Sequence, residues 1–275
     1  MSERILHLGD WRLNDITDEV ITKAKNCGFT QIQISPVQED RGIPDGWDRY
    51  QPISFEIGNI LGSREDLMQL GNRCKRAGIG LIVDIVAHHT TTDIDRSKIK
   101  SFIYDVNRDI VDYHNRYELT HFRIDGLPTL NMWNYSLQYY VRSLINDLIS
   151  CGVTGLRWDA AKHIELPVEG CNFFENTLCV YPELFQYGEV IYSDYMTLTE
   201  YQKIMITGTE NPQGTDERKC VLWVESHDSY RAGYTAYKDE YQVAREYMDL
   251  VNNHRGANTL FYTRPFSEAW KTIRH

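Results

Sequence analysis

The chain has 275 residues, with 29 Lys+Arg against 39 Asp+Glu for a formal charge of −10, 42% hydrophobic residues and 25% charged ones. That balance fits an ordinary globular protein and excludes a disordered chain or a coiled coil. Its acidity argues against nucleic acid or an anionic membrane surface as partner, and no apolar run reaches the roughly 18 residues of a membrane span.

The N-terminal residues show no basic stretch followed by an apolar one. No secretion signal is therefore expected, and the chain as it stands reads as cytoplasmic, or as secreted if a leader has been removed. Residues 5–8 form the first predicted strand. A helix over 17–27 stops at Gly28, and a strand over 31–35 follows. Ser63, with Asp66 three residues on, makes a capping box that opens a helix over 63–77 and stops at Gly78. A strand over 81–86 leads into a long irregular stretch, about 90–134, of the kind that usually carries function. The spacing of Leu137, Val141, Leu144, Ile145 and Leu148 predicts a helix over 136–151. Strands over 155–158, 185–190, 203–206, 221–224 and 258–262 complete the pattern.

Strands alternating with helices predict parallel pairing. Eight strands point to a TIM-type (β/α)8 barrel, with a doubly wound sheet as the alternative; the length suits a single barrel of about 250 residues. The six cysteines, Cys27, Cys74, Cys151, Cys171, Cys179 and Cys220, form no C-x-x-C pair, so reduced thiols and no zinc site are expected. Only Cys171 and Cys179 are close enough in sequence for a local bridge. The 18 Tyr and 6 Trp suit sugar faces and packed cores alike.

In such a barrel the reacting groups stand at the C-terminal ends of strands. The strand ends here carry Asp84, His88 and His89; Arg157, Asp159, Lys162 and His163; Glu189; and Glu225, His227 and Asp228. Asp159, Glu189 and Asp228 come from three different strand ends and would converge on one cleft. Glycoside hydrolysis needs such a set: one carboxylate to attack the anomeric carbon, and a second, kept protonated, to protonate the leaving oxygen. Taken singly, each has a plainer role. Asp159 before Ala160-Ala161 reads as a helix cap, His227-Asp228 as a buried polar pair, and Asp84 as the partner that orients Arg157.

Four stretches in order resemble the α-amylase family, glycoside hydrolase family 13. These are Asp84-Ile-Val-Ala-His-His89, Gly155-Leu-Arg-Trp-Asp-Ala-Ala-Lys-His-Ile164, Phe185-Gln-Tyr-Gly-Glu-Val190 and Trp223-Val-Glu-Ser-His-Asp228. Trp47-Asp-Arg-Tyr-Gln-Pro52 is similar to a family segment that lines sugar sites, and Leu260-Phe-Tyr-Thr-Arg-Pro265 to the eighth strand of a bacterial subgroup with W-V-E-S-H-D. The resemblance implies a retaining α-1,4-glucan hydrolase acting on starch or maltooligosaccharides. In it Asp159 is the nucleophile, Glu189 the general acid and base, and Asp228 the stabiliser of the transition state. It further implies that Arg157 orients Asp159, that His89, His227 and Tyr50 hold the cleaved sugar, and that Trp47, Gln51, Lys162 and His163 contact neighbouring sugars. Two alternatives stay open: a glucan-binding remnant with little or no activity, and a glucosyl transferase of the same family.

The resemblance also has departures. His88 and Thr129 stand where the family has an Asn and an Asp that bind a structural calcium, so no cofactor is required and tight calcium binding is not expected; Asp125 and the His163 carbonyl are the remaining ligand candidates. The resemblance implies that Arg157 and Arg264 could hold a chloride, as in some relatives, but Ser226 replaces the usual third ligand, an Asn, and no chloride is expected. The 39 positions from Glu189 to Asp228 are too few for two full βα units of about 30 residues each, so the sixth helix is expected to be missing or reduced to a loop. The eighth helix is expected to be partial, the C-terminal β-sandwich absent, and residues 1–275 a single catalytic barrel with a short excursion at about 90–134.

Overall fold

The structure is a computed structural model that describes residues 2–104, 106–265 and 267–274. Eight strands, β1 (Arg4–Leu8), β2 (Gln31–Ile34), β3 (Gly80–Ile85), β4 (Gly155–Trp158), β5 (Phe185–Glu189), β6 (Ile206–Thr209), β7 (Cys220–Trp223) and β8 (Asn258–Tyr262), pair in parallel around a closed barrel. Pairing of Arg4 with Thr259 and of Ile5 with Leu260 closes β8 onto β1, which rules out the open doubly wound sheet.

Strand alternation explains what points where. Successive residues face opposite sides of a sheet. Ile5, Ile82, Tyr187, Val221, Leu260 and Tyr262 pack together inside the barrel. Two residues further along their strands the same parity carries His7, Asp84 and Glu189 to the inner side at the C-terminal rim, and Arg157 lies in register opposite both Asp84 and Tyr187. The other parity, including Leu6, Leu8, Leu81, Val83, Leu156 and Trp158, faces outward into the large core shared with the helices.

Helices α1 (Asp18–Asn26), α2 (Arg64–Ala77), α3 (Arg116–His121), α4 (Tyr135–Ser150), α5 (Phe173–Asn176), α6 (Tyr195–Tyr201), α7 (His227–Arg231) and α8 (Glu240–Asn253) follow in chain order. The predicted capping box is present, and α1 carries a cap that was not predicted. Thr17 accepts from Val20 N–H at the start of α1, and Ser63 and Asp66 form the capping box of α2. α2 ends at Gly78 in the left-handed conformation (φ 66°). α2 and α4 cross where Gly71 lies against the Cys151 carbonyl, 2.0 Å from where a Cβ would sit. Backbone cannot yield as a side chain can, so Gly71→Ala is expected to cost about 1–3 kcal/mol despite the better helix propensity of Ala. Thermal unfolding measures this, and a stabilised variant would contradict the close packing.

The wall of the barrel is thinned in two places. The sixth crossover is a loop of residues 210–219 with one 3-10 turn, Glu217–Lys219, as expected from the spacing. The fourth is also reduced, to the four residues of α5 and two 3-10 turns, which the sequence reading did not anticipate. At the sixth position the outer face of β6 presents Thr207 and Thr209 instead of large aliphatics. Gln202 plugs it, its Nε2 donating to Thr207 Oγ1 (3.2 Å), Thr215 Oγ1 (3.0 Å) and Cys220 Sγ (3.3 Å). The strand read at 203–206 begins later, because Lys203 and Ile204 still close the last turn of α6 onto the carbonyls of Glu200 and Tyr201. After β8 the described residues form a 3-10 turn, Ala269–Thr272.

Residues between β3 and α4 leave the barrel and return. They hold a small apolar cluster of Ile110, Leu119 and Phe122, and rejoin through the bridges His89–Thr129 and Ile103–Leu130. All six cysteines are free thiols, with only Cys179 exposed. No helix among the described residues is long and apolar enough to cross a membrane.

Candidate active site

One guanidinium organises the rim. Arg157 Nη1 donates to both oxygens of Asp84 (3.0 and 2.8 Å) and to Asp159 Oδ1 (2.6 Å). Its Nη2 pairs with Glu189 Oε1 at 2.7 Å. The second oxygen of Glu189 accepts from Ala160 N–H at 2.9 Å. That N–H is aimed by a left-handed backbone at Ala160 (φ 49°), a conformation that costs a non-glycine residue of order 1 kcal/mol or more and is held by its surroundings. Asp159 and Glu189 are thus fixed relative to each other through one side chain and one peptide.

The charges do not balance. One cation faces three carboxylates in a buried setting, which favours keeping a proton within the set. Burial pushes Asp84 up to about 7 against the opposing pull of Arg157. Burial likewise raises Asp159 and Glu189, each also facing other carboxylates. Asp228 stands across the cleft with its side chain 45% exposed, 3.2 Å from His227 Nε2; partial burial raises it as well.

The histidines are neutral. Burial takes His89 down to about 4 and His227 well below its ordinary value. His89 Nε2 is 2.9 Å from the Tyr50 carbonyl, so Nε2 carries the proton; the same nitrogen lies 3.8 Å from Asp159 Oδ2. Tyr50 stacks on His227 (centroids 5.0 Å apart, planes 9° apart) and donates to Asp84 Oδ2 at 3.0 Å.

A cleft of about 1260 Å³ opens above this group. Of the candidates, Trp47, Tyr50, His89, Asp159, Lys162, His163, Glu189, Asp228 and Asp125 line it. Arg157, His227 and Gln51 lie behind its wall as supports. Gln51 is buried, and with its amide oxygen turned to accept from Trp47 Nε1 (2.9 Å) and Arg41 (3.1 Å) it steadies the half-exposed indole. Lys162 Nζ donates to the carbonyls of Ile191 (3.2 Å) and Tyr192 (3.1 Å), and His163 Nδ1 donates to the Leu119 carbonyl (2.9 Å). Arg264 is taken up by Glu225 (2.8 and 2.7 Å) and by the carbonyls of Thr235 and Lys238.

Sequence reading missed two residues of this site. Tyr192 projects into the cleft mouth, 70% exposed, on a left-handed backbone (φ 48°) that Glu210 also pins through its N–H at 2.9 Å. Arg231 lies over the Tyr50 ring, 6.0 Å from its centroid, and pairs with Asp10. Tyr192 follows the third motif by only two residues, and its side-chain type alone gave no signal of strain.

No protein-family model matches the chain. An α-amylase of Clostridium acetobutylicum is 29% identical over 305 aligned positions, covering 95% of this chain and 40% of that protein. An α-amylase of Butyrivibrio fibrisolvens is 29% identical, covering 95% and 34%. The chain therefore spans about two fifths or less of the curated relatives it matches over most of its length. The 305-position alignment exceeds the chain's 275 residues, so the Clostridium protein carries segments this chain lacks. In structure, α-amylase I of Eisenia fetida superposes with a TM-score of 0.79 at 19% identity, covering 96% of this chain and 68% of that one. The α-amylase of Geobacillus thermoleovorans gives 0.73 at 18%, covering 99% and 73%. The chain is thus similar to α-amylases in sequence and carries the same barrel fold.

Proposed function

We propose that this chain is a glycoside hydrolase that cleaves α-1,4-glucans with retention of configuration. What supports the reading most is the sharing of Arg157 by Asp159 and Glu189. A guanidinium is only a few ångströms across, so two carboxylates bonded to its terminal nitrogens are close neighbours. Retention requires a short separation, about 5–5.5 Å, whereas inversion needs room for a water between them.

Asp159 Oδ1 is held by Arg157, which leaves Oδ2 to attack the anomeric carbon. Glu189, raised by burial, gives its proton to the glycosidic oxygen as that bond breaks. It then takes a proton from the water that opens the glycosyl-enzyme, so that each group ends as it began. Asp228, beside His227 on the cleft wall, faces the positive charge that develops on the sugar ring. His89, neutral on the cleft wall, adds no positive charge there, and His227 backs Tyr50 and Asp228 from behind the wall.

The test is to follow maltoheptaose cleavage by anomeric proton NMR. The α-anomer is expected to appear first, and an initial β-anomer would overturn retention. Binding without turnover would favour a glucan-binding remnant, and products longer than the substrate a transferase. Tyr192→Ala is expected to raise KM for maltoheptaose about tenfold through a lost stacking face worth ~1.4 kcal/mol, with kcat on a short activated glycoside within about twofold. Equal losses on both substrates would remove Tyr192 from sugar contact.

A further inference from the structure

The resemblance to α-amylases carries a structural calcium between the barrel and the excursion after β3, and the residues at that junction do not fit one. Calcium takes six to eight oxygen ligands. Here His88 Nε2 is a buried nitrogen without a partner, and the Thr129 hydroxyl is spent on the Phe122 carbonyl at 2.7 Å. Among the described residues no three His, Cys, Asp or Glu side chains are grouped to hold a metal.

A cation of another kind is built in. Arg116, on α3 of the excursion, donates from Nη1 to the Lys162 carbonyl (2.5 Å) and from Nη2 to the Ile164 carbonyl (2.9 Å) and the Tyr201 hydroxyl (3.0 Å). It grips Glu169 with two parallel bonds of 2.7 Å. The Tyr201 hydroxyl lies 2.9 and 2.8 Å from the same two carbonyls. One guanidinium thus gathers two carbonyls, a carboxylate and a phenol from three separate segments: those after β4, the turn at Pro167–Glu169, and α6. Oxygen donors converging from distant segments are what a bridging divalent cation would otherwise collect. The Arg116 charge also reaches His88 and His163, which burial already keeps neutral, so a metal placed beside them would meet a like charge.

We propose that the Arg116 guanidinium replaces the bridging divalent cation at this junction, tying the excursion to the loop after β4 and making the fold independent of calcium. The proposal rests on the family reading of the site only for the expectation of a cation there. Its test uses no glycosidase assay, so failure of the proposed activity would leave it standing.

Thermal unfolding of the full chain would be compared in excess EDTA and in millimolar calcium chloride, for the wild type, R116Q and R116K, together with the rate of trypsin cleavage within residues 90–134. The wild-type midpoint is expected to agree within about 1 °C between the two conditions. R116Q is expected to lose on the order of 10 °C and to be cut faster, because Glu169 is left unpaired; R116K should recover part of both. A wild-type midpoint that falls by several degrees in EDTA would overturn the proposal. So would an R116Q as stable and as resistant as the wild type. Should R116Q fail to fold, R116K and the wild-type comparison decide.

Discussion

Asp159→Asn is expected to lower kcat on a blocked maltoheptaoside by on the order of 10⁵-fold, close to the loss of all nucleophilic catalysis. The amide keeps the volume and can still meet Arg157, so folding should be little changed, which circular dichroism would check. The loss is expected because Oδ2 is the one oxygen of this carboxyl not bonded to Arg157, and an amide in its place cannot attack. A control separates the two carboxyl roles. Glu189→Ala should be nearly as inactive on the maltoheptaoside, yet largely spared on a substrate whose leaving group needs no proton. With azide, Asp159→Ala should yield the β-glycosyl azide and Glu189→Ala the α-glycosyl azide. A reversal of these products would exchange the roles, and wild-type rates in Asp159→Asn would remove the residue from the chemistry.

The second large effect concerns Arg157. Arg157→Leu is expected to cost about 3–5 kcal/mol at neutral pH, since three carboxylates lose their only shared cation in a buried place. Arg157→Lys should fall between, because a single ammonium cannot reach three carboxylates in the fixed fork geometry of a guanidinium. The pH dependence follows from the direction of the shifts. Burial raises Asp84 to about 7, whereas an unfolded Asp titrates near 3.9, so folding takes up a proton between those values. A raised carboxyl contributes stability that is fully present below about pH 4 and is lost as pH rises through about 7. Urea unfolding of the wild type should therefore show this contribution fading between about pH 4 and 7. In Arg157→Leu the carboxylates lose the positive charge that opposes the effect of burial, so the decline should steepen and shift upward. A flat profile in the variant would show that these carboxyls remain ionised without Arg157.

The barrel was legible because its signals are local and periodic. Every strand core except that of β6 lies where the apolar runs put it, and Ser63 and Gly78 cap the helix they were expected to cap. β6 was displaced because Ile204-Met205-Ile206 is apolar in either state, and a helix end claimed its first part. The reduced fourth crossover was missed because its short helix and turns carry no periodic signal. The carboxylate set was legible from its order along the chain. Its support was not: the sharing of one guanidinium, the left-handed Ala160 and the gathering of carbonyls by Arg116 depend on contacts between residues 29 to 73 positions apart or on backbone strain that side-chain types do not announce.

Gln202 has a consequence for how the barrel opens. A helix on the outer face of β6 would make exposure of that strand cost a large apolar area, and the amide plug of Thr207, Thr215 and Cys220 does not. Water can replace those hydrogen bonds one for one. Amide protons of β6 and β7 are therefore expected to exchange with deuterium through partial openings that leave β1 to β3 protected, so that the barrel breathes at one seam on the side away from α1 and α2.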